Sequence, residues 1–232
     1  MRGTKRCVFS ALGVFLCAMP AAAQSHTVTF VKDLDYVATS DYPDGKDRLD
    51  LYIPQGVSNA PVIFSLHGGA LSMGDRGEES FVGQRFAAAG YLTVVASYRL
   101  SPQVSHPAHI QDAAAAFAWV KRNIRQHGGD PDRIIVIGHS AGAYLATPSR
   151  YLRADLPPVL LIDTDGDEEW RQQQNADMAA ALRSAGHKDV DVHKVKGRTH
   201  MSVWTKMLDG ESEETSSRIL LFAKRVLAEK GN

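Results

Sequence analysis

The sequence predicts an α/β fold, a mostly parallel sheet with helices on both faces. Two observations lead there. Short runs rich in β-branched residues, "PVIFSL", "LTVVAS" and "RIIVIG", are apolar almost without a break, the pattern of strands covered on both sides. These runs alternate with longer stretches of helical periodicity, the order that builds a parallel sheet through crossover helices. With 232 residues, 44% hydrophobic and 22% charged, the chain has material for one domain with a sizeable core and too little for two.

Taken in order, strands are expected at Val28–Val31, Leu49–Ile53, Val62–Leu66, Leu92–Ser97, Ile134–Ile137, Val159–Ile162 and Val190–Val195. Helices are expected at Glu79–Ala89, Ile110–Gln126, Ala141–Ala146, Glu169–Ala185 and Glu213–Lys230. Residues 1–23 stand apart from this pattern. A basic "MRGTKR", a short apolar run "CVFSALGVFLCAMP" and small residues "AAAQ" read as a secretory signal peptide cleaved near Ala23. The run is too short for a comfortable membrane span. Residues 24–232 are then a single α/β domain, secreted or periplasmic, with no stable membrane association once the signal is removed.

Both cysteines, Cys7 and Cys17, fall inside the signal segment. A mature chain without them has no thiol, disulfide or cysteine metal site, and suits an oxidising compartment. The full chain carries 26 basic and 26 acidic side chains, and removing Arg2, Lys5 and Arg6 leaves 23 against 26, a net −3. That balance offers no basic patch for nucleic acid or an anionic membrane surface.

Ser140 lies in Gly138-His139-Ser140-Ala141-Gly142, directly after the strand "RIIVI" and at the head of the Ala141–Ala146 helix. A G-x-S-x-G pattern in a strand–turn–helix setting is a nucleophile elbow: its glycines let strand and helix backbones approach around a strained turn that lifts the hydroxyl clear of the sheet. The motif His67-Gly68-Gly69-Ala70 follows the strand "PVIFSL". Backbone N–H groups of Gly69 and Ala70, with that of Ala141, are expected to form an oxyanion hole, while His67 braces the loop.

These residues resemble the α/β-hydrolase superfamily, and within it the HGG-type carboxylesterases near the hormone-sensitive-lipase-like, feruloyl-esterase-like and kynurenine-formamidase-like members. The likeness is carried by "VIFSLHGGALSMGD", "VVASYRLSP", "HIQDAAAAFAWVKRNI", "GGDPDRIIVIGHSAGAYLA", "PPVLLIDTDGDEEW" and "KGRTHMSVW". It implies an α/β-hydrolase fold and a Ser–acid–His triad with no metal or cofactor. The acid would be Asp167, with Asp163 and Asp165 as rivals, and the base His200, ahead of His187 and His193. Asp112, Trp119 and "SYRLSP" read as packing and bracing features. The implied substrate is a small-molecule ester with a short acyl or aryl group. Two other readings are a formamidase-like amide hydrolase and a truncated, inactive hydrolase that persists as a binding module or non-functional product.

The chain departs from this family at one place. Only 27 residues separate Ser140 from Asp167, where the family carries a longer stretch, so a cap and one strand are expected to be missing. A gap in a buried sheet would orphan backbone groups at about 1–3 kcal/mol each. The Val159–Ile162 strand is therefore expected to move in beside Ile134–Ile137. Without a cap, the acyl site should be shallow and open, with weak preference among short esters and low turnover.

Overall fold

The structure, a computed structural model, describes residues 25–37, 42–147, 152–208 and 213–229. The expected signal segment, with Cys7 and Cys17, lies outside the described residues, as does Pro148.

Seven strands form among the described residues: β1 (Val28–Asp35), β2 (Arg48–Pro54), β3 (Ala60–Leu66), β4 (Leu92–Ala96), β5 (Gly129–Gly138), β6 (Val159–Thr164) and β7 (Val190–Val195). The helices are α1 (Ser80–Ala88), α2 (Ala108–Asn123), α3 (Ala141–Ala146), α4 (Glu169–Ser184), α5 (Ser202–Thr205) and α6 (Glu213–Glu229). Strands β1 to β5 make one sheet in the order β1-β2-β4-β3-β5, antiparallel from β1 to β4 and parallel across β4, β3 and β5.

Successive side chains of a strand face opposite sides, and β3 feeds two cores in this way. Val62, Phe64 and Leu66 point into a core with Ala113, Ala116 and Val120 of α2 and Leu145 of α3. Ile63 joins Val82 and Phe86 of α1 and Ile219, Ala223 and Val226 of α6 on the other side. Helices on both faces explain why β3 and β4 are buried almost throughout.

Strand β6 does not join β5. It pairs in parallel with β7 in a separate two-stranded sheet, which corrects the expectation that Val159–Ile162 would lie beside Ile134–Ile137. The penalty behind that expectation applies to buried backbone groups, and this region is wet. Val136 of β5 is 39% exposed, and Val159 to Asp163 of β6 are all only partly buried. Edge groups that water can reach keep their hydrogen bonds. Continuity between the sheets comes from side chains instead: Ile135 and Ile137 of β5 share one apolar cluster with Ile162 of β6, Trp204 and α6. Among the described residues, only α3 and β6 lie between Ser140 and Asp167.

The "SYRLSP" segment is braced as expected. Asp112 on α2 accepts two side-chain hydrogen bonds from Arg99, at 2.8 and 2.7 Å, and one from the Arg99 backbone N–H at 3.0 Å. The Asp112 side chain is 4% exposed and that of Arg99 29%. Removing one partner of such a pair strands the other charge, so Asp112→Ala should lower unfolding stability by about 3 kcal/mol, read from urea denaturation.

Candidate active site

Register brings the two motif-bearing loops of the large sheet together. Leu66 of β3 pairs with Gly138 of β5, so the chain leaves both strands side by side at their carboxyl ends, as "HGGA" and "HSAG". The approach is close enough to exclude side chains. A Cβ on Gly142 would stand 2.0 Å from the Leu66 carbonyl oxygen, and one on Gly68 would stand 3.0 Å from the His139 ring and 3.5 Å from the Ser140 Cβ. At the elbow Ser140 has φ 53° and ψ −116°, a conformation that L residues other than glycine adopt only under constraint, at about 1–3 kcal/mol. Ser140 is exposed and caps α3.

The HGG loop is equally constrained. Gly69 has φ 106°, and Ala70 and Leu71 come next at 53° and 61°. The Gly69 carbonyl accepts from the N–H groups of Ser72 and Met73. The N–H groups of Gly69 and Ala70 donate to no backbone acceptor among the described residues. His67 braces the loop, as expected: its ring is buried, stacks on Tyr98 at 4.1 Å, and hydrogen-bonds the Gly68 carbonyl at 2.7 Å. The Tyr98 hydroxyl donates to the His67 carbonyl at 2.8 Å. Burial pushes the His67 pKa down to about 4, so the ring is neutral at pH 7.

The small sheet repeats the arrangement. Thr164 of β6 pairs with Val195 of β7, and the loops beyond both strands run together. His200 Nδ1 lies 2.7 Å from Asp167 Oδ2. Asp167 also accepts from Arg171 Nη1 at 3.0 Å and from the Glu168 N–H at 2.8 Å. Burial acts to raise the Asp167 pKa, but the bonds from His200, Arg171 and Glu168 outweigh it and hold the carboxyl below its usual value. An ionised carboxylate on Nδ1 leaves Nε2 as the basic nitrogen of a neutral imidazole.

The rivals are occupied elsewhere. Asp165 accepts from the Gly197 N–H at 2.7 Å and ties the two loops, while Asp163 lies 3.7 Å from Lys194. His193 is bonded to Glu214 at 2.9 Å, and His187 is buried beyond the end of α4.

The two halves meet through His139, the residue before Ser140. Its Nε2 lies 2.8 Å from the His200 carbonyl oxygen, and the two rings are 4.7 Å apart. Burial first, then the like charge of His200, drives the His139 pKa down to about 4 against the pull of the His200 carbonyl and Asp167. Among the described residues no hydrogen bond joins the Ser140 hydroxyl to His200. Such bonds are often loose until substrate binds.

The BD-FAE family matches residues 49–149. Esterase B from Lactobacillus rhamnosis, a solved structure, superposes with a TM-score of 0.76 at 19% identity, covering 88% of each chain. The fold is the α/β-hydrolase fold. In sequence the chain is similar to carboxylic ester hydrolases over less than half of its length. It is 40% identical over 102 residues to probable isoprenylcysteine alpha-carbonyl methylesterase ICMEL1 from Oryza sativa subsp. japonica, covering 44% of this chain and 24% of that protein. It is 38% identical over 105 residues to carboxylesterase NlhH from Mycobacterium tuberculosis, covering 44% and 33%. The chain thus spans about a quarter to a third of the length of these curated relatives.

The chain holds one buried group near the site that the sequence alone did not single out. Glu79, expected only as a helix start, is 6% exposed, and its Oε1 accepts from Trp204 Nε1 at 2.9 Å. Desolvation raises its pKa to about 7, against the opposing pull of the Trp204, Gly68 and Ser65 donors. A carboxyl whose folded pKa stands above its unfolded value binds its proton more tightly when folded. Its contribution to stability is then complete below about pH 4.5 and fades as pH rises to about 7. Glu79→Gln should therefore remove a stability loss of about 3 kcal/mol across that window, read as a flatter melting temperature against pH than in wild type.

Proposed function

We propose that the protein is an exported serine carboxylesterase acting on short acyl or aryl esters through Ser140, His200 and Asp167 and an acyl-enzyme. His200 Nε2 takes the Ser140 proton as the hydroxyl oxygen attacks the ester carbonyl, then protonates the departing alcohol. Asp167 holds the imidazole tautomer and stabilises the imidazolium. The N–H groups of Gly69, Ala70 and Ala141 receive the oxyanion, each donor worth roughly 10²–10³ in rate. Water then repeats the sequence on the acyl-enzyme.

The observation that carries this reading is the 2.7 Å contact between His200 Nδ1 and Asp167, made on a loop that His139 ties to the elbow. It is what a truncated, inactive chain would lose first. The relatives named for methylester and carboxylester hydrolysis support the ester class, and the exposure of Ser140 supports a site open to small substrates. The basic and apolar segment over residues 1–23 supports export.

The test is a fluorophosphonate probe on the purified mature protein, together with 4-nitrophenyl acetate hydrolysis. Labelling of one serine per chain, with turnover, is expected. Folded protein that neither labels nor hydrolyses the ester would overturn the reading.

A further inference from the structure

Glu79 is a carboxyl buried beside an active-site loop with no cation paired to it among the described residues. A group this costly to bury leans on each contact that offsets its desolvation. Gly68 and Ser65 lie on its own side of the site, while Oε1 accepts at 2.9 Å from Trp204, a residue 125 positions away in the chain.

Trp204 sits on α5, which starts two residues after His200 and is four residues long. So short a helix has no independent stability. The indole is instead fixed from outside, with Phe81 edge-on at 6.5 Å and the Glu79 carboxyl on its N–H. Its face lies against the His139 ring at 5.4 Å, 14° from parallel. His139 stands in turn 4.7 Å from the His200 ring and hydrogen-bonds the His200 carbonyl. Neutral His139 donates that bond from Nε2, so the plane of its ring fixes the His200 main chain.

We propose that Glu79 is a positioning residue for His200, acting through Trp204 and the His139 ring to hold the imidazole in line with Asp167 and Ser140. The inference rests on His200 being the general base. Asp167 fixes one nitrogen of His200, which leaves the ring free to pivot about that bond. The stack of Trp204 and His139 removes the pivot and aims Nε2. Misplacement by an ångström is enough to cost about 10²-fold in rate.

The test compares Glu79→Leu, Glu79→Gln, Trp204→Phe and the Glu79→Leu/Trp204→Phe pair by kcat and KM on 4-nitrophenyl acetate. A second readout is the downfield proton resonance of His200 Nδ1–H, assigned by its loss in His200→Ala. Leucine keeps the volume but removes the acceptor, glutamine keeps the acceptor, and phenylalanine keeps a ring but removes the donor. Glu79→Leu and Trp204→Phe should each lower kcat by roughly 10–100-fold with KM within about twofold, and broaden the resonance. Glu79→Gln should restore both, and the pair should be no worse than either single variant. Should Glu79→Leu fail to fold, Trp204→Phe alone decides. Folded variants with wild-type kcat and an unchanged resonance would overturn the proposal. Loss of ester hydrolysis in every form, wild type included, would sink the esterase reading, and the resonance would still report on Glu79.

Discussion

Ser140→Ala should abolish fluorophosphonate labelling and lower kcat on 4-nitrophenyl acetate by about 10⁴–10⁶-fold, with melting temperature unchanged or raised. The expected size comes from what the other groups lose. His200 without a hydroxyl has no Ser140 proton to take, and Gly69, Ala70 and Ala141 receive an oxyanion only when water attacks in place of the hydroxyl. Residual rate then comes from binding and from the empty hole alone. The expected stability is set by the backbone. Alanine at φ 53° keeps the strain of the elbow, while removing a hydroxyl that is exposed in any case. A variant that still labels, or that loses only a few-fold in kcat, would place the nucleophile elsewhere.

Asp167→Asn should lower kcat by about 10⁴-fold, and Asp165→Asn and Asp163→Asn by less than about tenfold. An amide facing His200 Nδ1 cannot hold the same tautomer, because its N–H₂ competes as a donor where the carboxylate only accepted. Asp165 meets the Gly197 N–H instead, so its loss loosens the loop without touching the base. The three variants together therefore separate the acid of the triad from its neighbours in one steady-state experiment. Equal losses at Asp165 and Asp167 would contradict the assignment. A loss confined to Asp163 would move the acid to the strand end.

Much of this architecture was readable in the chain. The Ala141–Ala146 helix and the Val190–Val195 strand fall where hydrophobic periodicity places them, and both motif loops emerge from strand ends. Strand β5 begins at Gly129, earlier than the apolar run suggests. "GGDPD" has turn chemistry, yet the Asp130 carboxylate binds Arg133 at 2.7 Å and Asn59 at 3.0 Å, which holds the segment extended. The separation of β6 from β5 was not readable, because whether water reaches a strand edge depends on packing around it. Glu79 was invisible for a related reason. It looks like an ordinary acidic residue at a helix start, and only the fold brings the indole of Trp204 to it.

The division into two hydrogen-bonded ladders has a further consequence for how the proposed activity would be lost. Ser140 rides on the five-stranded ladder, whereas Asp167 and His200 ride on the pair formed by β6 and β7. What joins them is a seam of side chains, Ile135 and Ile137 against Ile162, Trp204 and α6. Side-chain seams part at lower denaturant than the ladders they connect. Turnover should thus vanish on the early limb of a urea titration, while far-ultraviolet ellipticity still reports intact strands and helices.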